Sequence, residues 1–179
     1  SILLFTRYPW SELQGKNIGI IDDTATSVHL LRVLLEKRYG VSAHLTRMQG
    51  TNDDYQNFDA VLLIGDPALR ANKSGLPGFD GVFDLATEWY EWQKMPFVFA
   101  VWAVKKSLPA GTKKDLEAAL RKALAKEEKN PSLLSALHGR RIGMTPAETA
   151  AYLAGITFHL GKAEKAAIEV FRKLALPEV

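Results

Sequence analysis

The sequence predicts an α/β fold in which strands and helices alternate up to about Val104 and only helices follow. Three observations carry this. Short apolar runs close on turn residues, amphipathic segments of helical period lie between them, and no strand pattern is read beyond Val104. The chain has 179 residues, 47% hydrophobic and 24% charged, ordinary for a globular protein able to bury a core without cross-links.

Taken in order, Ser1–Thr6 and Lys16–Ile21 read as strands suited to a buried sheet. Thr26–Tyr39 is an amphipathic helix with Val28, Leu31, Leu34 and Leu35 on one stripe, and Gly40 stops it. Ala43–Arg47 and Ala60–Ile64 are further strands, the second ending in Gly65-Asp66-Pro67. Pro67 suits the first turn of a short helix capped by Asp66. Asn72–Phe79 is loop, Asp84–Met95 helix, and Pro96–Val104 a strongly apolar strand. This alternation predicts a mainly parallel sheet.

Beyond it, Thr112–Lys129 reads as a helix capped by Thr112, and Asn130-Pro131 breaks it before a short helix over Ser132–Leu137. Thr145-Pro146-Ala147-Glu148 is a capping-box signature for a helix running to about Leu160. Gly161 ends that helix, and Lys162–Leu176 forms the last one, with Ala166, Ile168, Phe171 and Leu174 or Ala175 inward. These late helices have apolar faces and no sheet of their own to cover. They either pack on each other or cover strands supplied by residues outside this chain, and the abrupt strand at Ser1 fits the second alternative.

Composition excludes several functions. Without cysteine there are no disulfides and no thiolate chemistry, which leans towards a cytoplasmic protein. His29, His44, His138 and His159 show no ligand-like pairing, so no metal is expected. The net charge is +3, with ten basic against four acidic side chains between Lys105 and Arg141. No aromatics interleave with those charges, so they read as solvated helix faces and no nucleic-acid partner is expected. No apolar run is long enough to span a bilayer. There is no Ser-His-Asp triad, Walker loop or dinucleotide fingerprint.

Three segments are candidate sites. Asp22-Asp23-Thr24-Ala25-Thr26-Ser27 joins a strand to a helix, and hydroxyls at Thr24, Thr26 and Ser27 can cap that helix or donate to a carboxylate held at its N-terminus. One hydroxyl suffices for a cap; three keep the anion site open. Gly65-Asp66 leaves the carboxyl end of another strand, where open parallel sheets bind ligands, and equally reads as a turn and a cap. Trp89, Tyr90, Trp92, Phe97, Phe99 and Trp102 read as core or as the wall of a pocket for a flat ring.

Asp84–Trp102, "DLATEWYEWQKMPFVFAVW", resembles the hallmark of the menaquinone-biosynthesis chorismate dehydratases. Their pattern is Asp-Leu-x-x-x-Trp followed by Leu-Pro-Phe-Val-Phe-Ala-x-Trp, with Met95 here in place of the Leu and Gln93-Lys94 in place of a common Thr-Gly. "SILLFT" (Ser1–Thr6), "TATSVHLLRVLL" (Thr24–Leu35) and "LLIGDPAL" (Leu62–Leu69) resemble further family blocks in order and spacing. The family's Tyr-Leu-Asn motif has no match here. The resemblance implies a type II periplasmic-binding-protein-like two-lobed fold: residues 1–99 as an α/β lobe two, and 100–179 as a hinge crossing plus C-terminal helices of lobe one. It also implies a cytoplasmic lyase of the futalosine route. This enzyme dehydrates chorismate to 3-[(1-carboxyvinyl)oxy]benzoate without cofactor or metal. Thr26 and Ser27 would then donate to a substrate carboxylate, Ser1 would be a polar wall, and Phe99 and Trp102 ring contacts or hinge packing. Asp66 is the titratable candidate for a catalytic role, with capping or positioning as its other reading. The base and the oligomeric state stay open. A solute-binding protein for a small carboxylate and the sister dihydroxy-naphthoate synthase are the alternatives. The Phe-Val-Phe-Ala-x-Trp block counts against the sister enzyme.

Overall fold

A computed structural model describes residues 1–21, 25–48, 54–129 and 138–176, with the side chains of 127–129 left aside. By contacts the chain divides into residues 1–100 with 160–179, and residues 101–159.

The first unit is built on five strands: β1 (Ile2–Thr6), β2 (Asn17–Ile20), β3 (His44–Arg47), β4 (Ala60–Ile64) and β5 (Gly81–Asp84), in the order β3-β2-β4-β1-β5. Side chains alternate across the sheet, so β1 and β4 divide between two cores. Ile2, Leu4, Ala60 and Leu62 face helices α1 (Ala25–Val33), α3 (Leu85–Gln93) and α6 (Lys162–Ala175); Leu3, Phe5, Val61 and Leu63 face α2 (Asp66–Ser74). Strands covered on both faces need continuous apolar sequence, and both have it. Gly19 in β2 has a steric reason: a Cβ there would lie 2.9 Å from Met48 Sδ and from Phe58 Cδ2.

The sheet is mixed rather than mainly parallel. β2 runs parallel to β3 and β4, whereas β1 lies antiparallel between β4 and β5. Residues 7–16, which link β1 to β2, hold only the short 3-10 turn Trp10–Glu12 and no crossover helix, so nothing returns the chain for a parallel pairing. β5 falls where loop gave way directly to helix in the sequence reading.

α1 continues as a π-helical stretch over Leu34–Tyr39, and Gly40 ends it with φ 67°, a left-handed geometry that suits glycine. At this end, Arg38 lies 2.8 Å from the Glu88 carboxylate of α3 and 3.2 Å from that of Glu91. Tyr39 donates its hydroxyl to Glu88, and Arg38 also donates to the Glu88 carbonyl. Burial first, and the Glu88 carboxylate second, push the Tyr39 phenol up. Trp10 stacks on Tyr39 at 4.6 Å and 7°.

Pro96–Val104 is not a strand: residues 96–105 carry neither helix nor strand. Its apolar content serves packing instead. Phe97 meets Trp89 and Phe171 edge-on at 5.4 and 4.8 Å, and Phe99 meets Phe97 at 4.7 Å. The inward stripe of α6 is Ala167, Val170, Phe171, Leu174 and Ala175, with Ala166 exposed and Ile168 half-buried and outside that cluster. Spacing i, i+3, i+4, i+7 from Ala167 gives this phase.

The second unit holds α4 (Ala110–Lys129) and α5 (Pro146–Ala154). α4 begins before Thr112, with the Lys113 N–H donating to the Pro109 carbonyl, so Thr112 sits within the helix and does not cap it. Asn130-Pro131 and Ser132–Leu137 lie outside the described residues. The predicted capping box of α5 is present: Thr145 Oγ1 accepts from the Glu148 N–H at 3.2 Å, and Glu148 Oε2 accepts from the Thr145 N–H at 2.6 Å. α5 stops at Ala154, short of the expected Leu160, because Gly155 closes it and its N–H turns back to Tyr152 and Leu153.

Candidate functional site

Sheet order and strand direction together assemble one edge of the first unit. β1 is the reversed strand, so its first residue lies among the carboxyl ends of the others. Ile2 pairs with Ile64 and Leu3 with Asp84, while Ile20 of β2 pairs with Leu62. The Gly65 N–H donates to the Ser1 carbonyl at 3.0 Å. Three helices begin at this edge, since α1, α2 and α3 follow the carboxyl ends of β2, β4 and β5. Each helix start points its first N–H groups and partial positive charge towards the same rim.

The three starts differ chemically. At α3 the Asp84 carboxylate accepts from the Ala86 and Thr87 N–H groups at 2.9 and 3.0 Å, so a negative charge already answers that dipole. At α2 the cap position belongs to Gly65, with φ 62° and no side-chain cap bond. Asp66 is therefore the first helical residue, exposed, and not the cap expected of it. Its carboxylate stabilises the first turn through the dipole alone. At α1 the first turn carries no acidic residue, Thr26 is half-buried and Ser27 is buried. Asp22, Asp23 and Thr24 lie outside the described residues.

Topology thus gathers Ser1, Thr26, Ser27 and Asp66 on one edge of one unit. Phe99 is half-buried against the aromatic cluster of the same unit. Trp102 belongs to the second unit and is 84% exposed. Asp84, which sequence reasoning passed over, stands beside Ser1 through the β1–β5 register. A signal for it existed: an Asp directly ahead of "LATE" has the form of a helix cap. Among the described residues, no group of three or more His, Asp or Glu side chains could hold a metal ion, and no helix is long and apolar enough to cross a membrane.

Known proteins resemble this chain as follows. The chorismate dehydratase of Thermus thermophilus is 32% identical, over 89% of this chain and 63% of its own length, so the chain spans less than two-thirds of that relative. Among solved structures, the second substrate binding domain of a putative amino acid ABC transporter from Streptococcus pneumoniae aligns at 19% identity and a TM-score of 0.30. That alignment covers 41% of this chain and 36% of the other. Residues 1–176 match the family described as menaquinone biosynthesis, and the chain belongs to that family.

Proposed function

We propose that this chain carries out, as all or part of the working enzyme, the dehydration of chorismate to 3-[(1-carboxyvinyl)oxy]benzoate in menaquinone biosynthesis. The observation that carries the reading is the family match over residues 1–176, supported by a relative bearing that name at 32% identity. The reaction removes a ring proton and the ring hydroxyl, releases water and leaves an aromatic ring. Aromatisation supplies the driving force, so the protein's part is to hold the dianionic substrate and fix the leaving group.

In this reading the α1 start, the one without an acidic residue in its first turn, receives a substrate carboxylate. Thr26 and Ser27 donate to it and Ser1 forms the neighbouring polar wall. Phe99 and Trp102 are ring contacts or hinge packing, and Asp66 positions groups at the rim. The two-lobed arrangement, with residues 1–99 as one lobe and 100–179 as the hinge crossing and helices of the other, belongs to the same proposal. So does a cytoplasmic location.

The test is incubation of the intact protein that contains this chain with chorismate and detection of the product by its mass, 18 Da below the substrate for one water lost. Product formation supports the reading. Chorismate bound without turnover points to a carrier, and absence of binding refutes the substrate assignment.

A further inference from the structure

Helices α1 and α3 pack on one face of the sheet, where Leu30, Leu31, Leu85 and Trp89 share a core, and both begin at the same rim. α2 begins there too but packs on the opposite face. One face therefore presents two helix starts, with β4 and β1 between them. α1 follows β2 and α3 follows β5, so the two starts are three strand spacings apart, about 14 Å. A ring carrying two carboxylates can approach such an edge in either of two directions. The elimination takes a proton from one ring carbon and hydroxide from its neighbour, so only one direction brings those carbons to the groups that act on them.

Asp84 makes the two ends unequal. Its half-buried carboxylate accepts from the Ala86 and Thr87 N–H groups, and among the described residues no Lys, Arg or His side chain forms an ion pair with it. The other acidic residue in the first turn of α3, Glu88, is answered by Arg38 at 2.8 Å. The uncompensated negative charge at this end is therefore that of Asp84. A carboxylate brought to the α3 start meets it within about one strand spacing, about 5 Å. Between the dielectric of water and that of a protein surface, like charges at this distance disfavour binding about tenfold or more. The α1 start lies beyond the Debye length of about 8 Å at physiological salt, so a carboxylate there is largely screened from Asp84. One charge thus penalises one direction and spares the other.

We propose that Asp84 selects the orientation of the substrate: its charge closes the α3 start to carboxylates, so the dianion binds in one direction, with a carboxylate at the α1 start. The inference rests on the proposed dehydration. Capping alone does not call for a charge, because Asn or Ser caps a helix as well as Asp does.

The experiment uses the intact protein that contains this chain, as wild type, Asp84→Asn and Asp84→Ser. Both variants are neutral caps and should keep the fold by circular dichroism. Admitting the reversed direction adds non-productive binding, which lowers kcat and KM together and spares kcat/KM, because kcat/KM is set by the path from free enzyme and substrate to the productive transition state. In both variants kcat and KM for chorismate should fall together about threefold or more, with kcat/KM unchanged or raised. A fall in kcat/KM, a fall in KM alone, or unaltered constants overturns the proposal. Calorimetry with isophthalate, a flat ring bearing two carboxylates, needs no turnover. Its affinity should rise about threefold or more in both variants, and the gain should vanish at about 1 M salt, where the Debye length is about 3 Å. Equal affinity, a gain that survives high salt, or no binding to any of the three proteins overturns the proposal whatever the wild type does with chorismate. Absence of product from the wild type beside a salt-sensitive gain for isophthalate refutes the proposed activity and leaves the charge at the α3 start as the guard against carboxylates.

Discussion

Glu88 offers a direct measure of what joins α1 to α3. Its side chain is 12% exposed and that of Arg38 18%, with 2.8 Å between them. At an effective dielectric of about 20 the gross attraction at this separation is about 6 kcal/mol. Desolvation of the two ions offsets most of it, so the net value of the pair is small, and breaking it costs more than the pair is worth because one charge stays buried. Glu88→Gln retains the shape and the bond to Tyr39 but removes the charge. Glu91, 3.2 Å from Arg38 and largely exposed, recovers part of the loss. The expected cost is about 2 kcal/mol, below the 3–5 kcal/mol typical of a fully buried pair. Urea titration read by near-ultraviolet dichroism suits the measurement, because Trp10 stacks on Tyr39 and reports this region. Adding Arg38→Met should return about half of the loss by removing the orphaned charge. A loss below about 0.5 kcal/mol, as for an exposed surface pair, refutes the claim that burial governs this network.

Tyr39 gives a pH dependence. Its folded pKa lies above the unfolded value, so the stability it contributes is complete below about pH 10 and is lost as pH rises through the folded value. Wild type should therefore lose more stability than Tyr39→Phe between about pH 9 and 11, measured by urea midpoints; parallel curves would contradict this. Gly19→Ala should cost about 1–3 kcal/mol, since its Cβ meets Met48 and Phe58 at 2.9 Å, and a neutral urea midpoint would show that Phe58 moves aside freely. Under the proposed activity, Thr26→Ala with Ser27→Ala should raise KM of the intact protein for chorismate about a few-fold or more with the fold intact by circular dichroism, as loss of the proposed charge-assisted donors predicts; an unchanged KM retires the carboxylate role.

Elements with a long local pattern were legible in the sequence. β1, β4, α1 and the capping box at Thr145 all declare themselves through neighbours a few residues away. The direction of β1 did not, because strand pairing joins residues far apart in the chain and leaves no local mark. β5 escaped because four residues with only Val82 and Phe83 apolar, at a sheet edge, are too few to show a period. Pro96–Val104 misled for the opposite reason: its apolar content is strand-like, but among the described residues no strand pairs with it. At the candidate site, the helix starts at Thr26-Ser27 and Gly65-Asp66 were visible, but the assignment of the cap to Asp66 was not right, because Gly65 holds that position without a side-chain bond. Their convergence with Ser1 and Asp84 comes from register, which only the fold reveals.

The reversed β1 also bears on how the protein is handled. Ser1 emerges at the rim where three helices begin, hydrogen-bonded to Gly65. Any purification tag fused directly ahead of it would be anchored beside the groups proposed to bind the substrate. A polyhistidine tag there would bring imidazoles and bound metal to the edge proposed to hold a carboxylate and imitate or block a ligand.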